Sequence, residues 1–93
     1  DEDIIVIKTI QPKAPIHLLG STKKPFKSLD ELVQSGEKEK ELLWKLMRTL
    51  SDIAHTLGVA EDGYRLQTNC GPEAGQTVFH LHVHLLAGKQ LSE

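Results

Sequence analysis

Between Thr77 and Leu86 the chain reads Thr-Val-Phe-His-Leu-His-Val-His-Leu-Leu, with histidine at every second position and a large apolar residue between. Side chains alternate across a β-strand, so a strand here puts His80, His82 and His84 on one face, neighbours about 6 to 7 Å apart along the backbone. Phe79, Leu81, Val83 and Leu85 then share the other face and need a cover. The pattern predicts one long strand over 76–87, apolar side inward and imidazoles outward.

The cover is legible upstream. From Lys38 to Leu57 the residues Leu42, Leu43, Leu46, Met47, Leu50, Ile53, Ala54 and Leu57 recur at helical offsets, and Gly58 supplies a stop. Trp44 and Met47 read as packing residues, Glu41 and Lys45 as an i,i+4 pair, and the Glu-Lys-Glu-Lys-Glu run from Glu37 as a solvated face. Ser28 followed by Glu31 is a capping-box pattern, predicting a short helix over Leu29–Gln34 that Gly36 breaks.

The remaining segments supply strands. Asp3 to Ile10 is rich in isoleucine and valine and reads as a largely buried strand. Two prolines in Gln11–Pro15 make a turn, and Ile16 to Gly20 returns as the second arm of a hairpin. Ser21 to Lys27 reads as polar loop, with Lys23, Lys24 and Lys27 solvated. Tyr64 to Cys70 alternates, with Arg65, Gln67 and Asn69 on one side, and Gly71–Gly75 is a loop before the histidine strand. This order predicts a single α+β domain over 1–93. An antiparallel sheet of four to five strands carries one long packed helix and one short one.

Composition narrows the function. Eleven basic residues stand against 13 acidic ones, net charge -2, which leaves no excess positive charge for a phosphate backbone and argues against nucleic-acid binding. The single cysteine, Cys70, excludes an internal disulfide framework and any site needing two thiolates from one chain, and a reducing, cytoplasmic setting is expected. No apolar run approaches the roughly 20 residues of a membrane helix.

Three chemistries suit three imidazoles on a strand. They can sit on a solvated sheet face, and three consecutive outward positions beside a glycine-rich loop make that the weakest of the three. They can bind zinc, although His80 and His84 would stand about 13 Å apart at the backbone. Or one neutral ring can attack phosphorus while a neighbour supplies charge or a proton. Gly71, Gly75, Gln76 and Thr77 immediately precede the histidines and are placed to offer donors to phosphate oxygens.

The stretch from Gly75-Gln76-Thr77 through His80, His82 and His84 to Gly88 resembles the signature of the histidine triad (HIT) superfamily. Gly63-Tyr64-Arg65-Leu66 with Asn69, and Pro12-Lys13-Ala14-Pro15-Ile16-His17, resemble its Hint-like branch of purine nucleoside phosphoramidases. The resemblance covers the whole chain and implies a HIT-like fold, with a further N-terminal helix and strand before residue 1.

It also implies roles. His82 would be the nucleophile that forms a nucleotidyl-histidine intermediate, with His84 at the scissile bridge, His80 orienting the nucleophile and His17 in support. Asn69, Gly75, Gln76 and Thr77 would contact phosphate, ribose and leaving group, with Thr9 and Ile10 on the nucleoside side. The implied ligand is a purine nucleoside monophosphate or its conjugate, the assembly a homodimer, and no metal or other cofactor takes part.

Two departures qualify this. Thr9 stands where the family usually has an aspartate for the ribose hydroxyls, a change costing about 1 to 3 kcal/mol if a charged acceptor is lost. The segment from Gly20 to Pro25 has no histidine where the family's Ile-Pro-Lys-x-His element has one. A nucleotide- or protein-binding module with negligible turnover is therefore the alternative to a hydrolase, and a histidine metal site the second alternative.

Overall fold

The apolar half of the alternating segment is the centre of a sheet. In the computed structural model, which describes residues 2–93, β4 (Val83–Ala87) pairs with β2 (Ile16–Thr22) on one side and β3 (Arg65–Gln67) on the other. β1 (Ile4–Lys8) pairs with the far side of β2, so the order is β1-β2-β4-β3, every pair antiparallel. Between β2 and β3 come α1 (Leu29–Gln34) and α2 (Lys40–Thr56), with a short 3-10 turn at Glu37–Glu39 leading into α2. The α+β expectation stands, with a four-stranded sheet, one long helix and one short one.

Alternation explains which face α2 covers. Val83 and Leu85 point into the core with Ile4, Phe26 and Leu32, meeting Leu46, Leu50 and Ala54 from the helix stripe. Gly20 of β2 lies under this helix. A Cβ there would stand 2.8 Å from a Leu50 methyl, so glycine lets the helix sit close to the sheet. Met47 and Ile53 pack at the margin of this cluster. α1 has the expected N-cap, the Glu31 N–H donating to Ser28 Oγ.

Several local expectations need correction. The long strand predicted over Gln76–Ala87 is a strand only from Val83. Gly71 and Gly75 take positive φ around a 3-10 turn at Pro72–Ala74, in the expected loop, and no strand is assigned from Gln76 to His82. Phe79 is 53% exposed, away from the helix it was expected to cover. The segment Tyr64–Cys70 is a strand over only Arg65–Gln67, while β2 runs two residues past Gly20 to Thr22.

β1 is an edge strand, so it alternates rather than burying throughout: Ile4 is buried while Ile5 and Ile7 are exposed. Leu57 and Trp44 also lie exposed, outside the stripe that meets the sheet. Long-range ion pairs displace two local readings. Lys45 bonds Asp3 at 2.6 Å instead of serving Glu41 alone, and Lys24 pairs with Glu39, which is buried rather than part of a solvated run.

Candidate functional site

The face of the sheet opposite α2 carries the imidazoles. Cross-strand partners point the same way, and the register sets His84 opposite Leu19 and Gln67, and Leu86 opposite His17 and Arg65. His17 is thus a diagonal neighbour of His84, their ring centroids 5.1 Å apart. His82 lies one residue before β4, two positions from His84, and its ring stands 5.3 Å from that of His84. The assembled cluster is His17, His84 and His82.

His80 is not part of it. Its Nε2–H donates to the Thr22 carbonyl at 3.1 Å, and its ring turns away from the cavity in front of the other three. The expectation of three imidazoles on one face fails at His80: no strand is assigned before Val83, and the buried-exposed alternation runs back only as far as Leu81 and His82. What His80 contributes to His82 is its backbone carbonyl.

Hydrogen bonds to the backbone settle the ring tautomers, because an amide N–H can only donate and a carbonyl can only accept. The Lys13 amide donates to His17 Nδ1 at 3.0 Å, so His17 carries its proton on Nε2. That Nε2–H donates to His84 Nδ1 at 2.8 Å, leaving the His84 proton on Nε2. His82 Nδ1–H donates to the His80 carbonyl at 2.8 Å, which leaves His82 Nε2 with a free lone pair. With both rings neutral, the site pairs an unprotonated ring nitrogen on His82 with a ring N–H on His84.

Electrostatics favour the neutral forms of His17 and His84. Burial lowers the His17 pKa below its ordinary value, with the Lys13 charge adding to the effect. Burial likewise lowers His84, and the charges of His17, His82 and Lys13 push the same way.

A cavity of about 780 Å³ opens over this face. Thr9, Asn69, Gly75, Gln76 and Thr77 line it together with His17, His82 and His84, so most of the residues singled out in the sequence meet there. Ile10 does not, and lies 95% exposed in the hairpin turn. The Thr9 hydroxyl accepts the Gln11 amide at 3.2 Å. Among the described residues the lining holds no carboxylate, and its charged side chains are the cations Lys13, Arg65 and Lys89. Sequence reasoning undervalued them, although the alternation that put Arg65 and Gln67 beside Asn69 already marked two of the lining positions.

The glycine loop differs from the donor cradle expected of it. Gln76 is buried, its Oε1 accepting the Gly71 amide at 2.7 Å and its Nε2 donating to the carbonyls of Lys27 at 2.6 Å and Val78 at 3.0 Å. The amides of Gly75 and Gln76 donate to the carbonyls of Pro72 and Gly71. Asn69 Nδ2 donates to the Ala74 carbonyl at 2.7 Å. These groups shape the loop. Among the described residues no cluster of three or more histidine, cysteine or acidic side chains is arranged to hold a metal ion, so the metal alternative lacks its ligand set.

Comparison with known proteins gives the family. A family model described as HIT domain matches residues 1–91. An uncharacterised HIT-like protein of Synechococcus elongatus is 38% identical over 99% of this chain and 77% of its own length. A HIT family hydrolase from Clostridium thermocellum superposes with a TM-score of 0.89 at 44% identity, covering all of this chain (100%) and 78% of that one. A hypothetical histidine triad nucleotide-binding protein from Sulfolobus tokodaii superposes with a TM-score of 0.72 at 30% identity, over 99% of this chain and 59% of that one.

Proposed function

The chain belongs to the HIT family, and from that premise we propose that it is a nucleotide hydrolase cleaving the P–N bond of nucleoside monophosphate conjugates through His82. The observation that carries the reading is the hydrogen-bonding of the two rings that line the cavity: with both neutral, His82 Nε2 bears a lone pair and His84 Nε2 a proton. A cationic lining suits an anionic phosphate, and one structural neighbour is described as nucleotide-binding.

In the first step His82 Nε2 attacks phosphorus, forming an N–P bond as the bond to the leaving nitrogen breaks. His84 Nε2–H holds that nitrogen, and the amine departs with one proton drawn from solvent. In the second step water attacks phosphorus, the His82–phosphorus bond breaks, and the water releases a proton, so the count returns to zero with neutral His82 restored. His17 keeps His84 in the donor tautomer by donating to its Nδ1. Turnover of an adenosine monophosphate–amine conjugate by the wild-type chain, lost by about a thousandfold or more in His82→Asn, is the expected result. Unchanged turnover in the variant removes His82 from the chemistry.

A second reading, a module that holds nucleotide with negligible turnover, is favoured by the loop whose Gln76 carboxamide and Gly75 and Gln76 amides are engaged internally. Binding of adenosine monophosphate without amine release from several conjugates would establish it. Two-fold assembly belongs to the first reading, since β1 and β3 are sheet edges and Ile5, Ile7 and Leu66 are each more than a third exposed. A monomer in sedimentation at micromolar concentration counts against it.

A further inference from the structure

β4 begins one residue after His82, at Val83, so the ladder that holds His84 stops short of the proposed nucleophile. The carbonyls on both sides of the His82 Cα accept side-chain hydroxyls, and the plane that His82 shares with Val83 also meets the end of the ladder at Gly20. The Leu81 carbonyl accepts from Ser21 Oγ at 2.8 Å, and the His82 carbonyl accepts from Thr68 Oγ1 at 2.7 Å. Ser21 Oγ also approaches the Thr22 carbonyl, at the longer distance of 3.3 Å. The Leu81 amide donates to the Phe26 carbonyl at 2.8 Å.

Turning the first of these planes changes φ of His82, and turning the second changes ψ. The two angles together aim its Cβ. The bond from His82 Nδ1–H to the His80 carbonyl then fixes the ring on that Cβ, so Nε2 has little freedom left. Neither Ser21 nor Thr68 lines the cavity. Each comes from a segment on one flank of His82: Ser21 from β2, and Thr68 from the residue that follows β3.

We propose that Ser21 and Thr68 are positioning residues whose hydroxyls clamp the two peptide planes around His82 and so aim its Nε2 at phosphorus. The proposal rests on the reading of His82 as nucleophile. Valine at 68 has the shape of threonine but no proton to donate, and alanine at 21 removes the other donor. Either change removes the hydroxyl donor of one carbonyl, loosens that peptide plane and leaves the substrate contacts in place.

The test measures kcat, KM and imidazole nitrogen NMR on wild type, Thr68→Val, Ser21→Ala, the double variant and Thr68→Ser. The double variant should lose about tenfold in kcat with KM within about twofold, as expected for misplaced reacting atoms with intact binding. Each single variant should lose about threefold, so the test survives if the double variant does not fold. Thr68→Ser, which keeps the hydroxyl, should retain wild-type kcat. The His82 ring nitrogens should report the Nδ1–H tautomer in wild type and move toward averaging in the double variant. A double variant with unchanged kcat and unchanged ring signals overturns the clamp, as does Thr68→Ser falling as far as Thr68→Val. A wild-type chain that cleaves no conjugate, but whose His82 tautomer averages in the double variant, removes the hydrolase reading and supports the clamp.

Discussion

Val83–Ala87 and Gln76–His82 are consecutive, and the alternating pattern treats them alike, yet they are held by different means. The first is a central strand hydrogen-bonded on both sides, its apolar side chains sealed under α2. The second has no strand ladder and is pinned by individual donors, the Gln76 carboxamide and the hydroxyls of Ser21 and Thr68 among them. His84 sits on the first and His82 on the second. A ladder spreads its strength over many equivalent bonds, whereas a pinned segment depends on a few side chains, each of which mutation can remove singly. The two regions should therefore fail differently.

The largest effect on stability is expected in the ladder-held half. Leu85 is fully buried between sheet and helix, and Leu85→Ala should cost about 2 to 5 kcal/mol of unfolding free energy, measured by urea denaturation. A loss below about 1 kcal/mol would mean that the strand does not anchor the core. In the pinned half, Gln76→Ala should cost about 1 to 3 kcal/mol, because the Gly71 amide and the carbonyls of Lys27 and Val78 lose their partner together. Its signature should be local, with amide exchange rising across 71–78 while β4 stays protected. Uniform exposure of both halves would erase the distinction drawn here.

The smallest effect is a pH dependence, which joins the halves through the histidine relay. His17 and His84 titrate lower in the folded chain, chiefly through burial, than the ordinary value of 6.5. The unfolded chain therefore binds protons first as pH falls, so stability is full above about 6.5 and declines as pH drops toward the folded values. The urea midpoint should be lower at pH 5 than at pH 7.5, and His17→Gln should flatten the difference. A midpoint rising toward pH 5 would contradict the assigned tautomers.

Where one interaction type dominates, the sequence is a good guide. The helix stripe, the Ser28 cap and the alternation from Leu81 onward each report a local periodicity, and each appears in the fold. The reading fails where a distant residue competes. Lys45 turns to Asp3, Glu39 is buried against Lys24, and Gln76 reaches Lys27, 49 positions away. No spacing rule announces such partners. The site was legible in the same proportion, with His82, His84 and Asn69 found from a pattern and a resemblance. The diagonal contact of His17 with His84 comes from the register of β2 on β4.

By itself the sequence determined the α+β layering, the burial of Leu81, Val83 and Leu85, and the membership in the HIT family that its triad segment displays. These follow from periodicity and local chemistry, which travel with the chain. Only the tertiary structure decided which histidines meet, which ring nitrogens donate to or accept from a neighbour, and that Gln76 and the Gly75 amide are engaged within the protein. Tautomers and donor assignments depend on what stands within about 3 Å of each polar atom. That neighbour is supplied by packing between segments far apart in the chain.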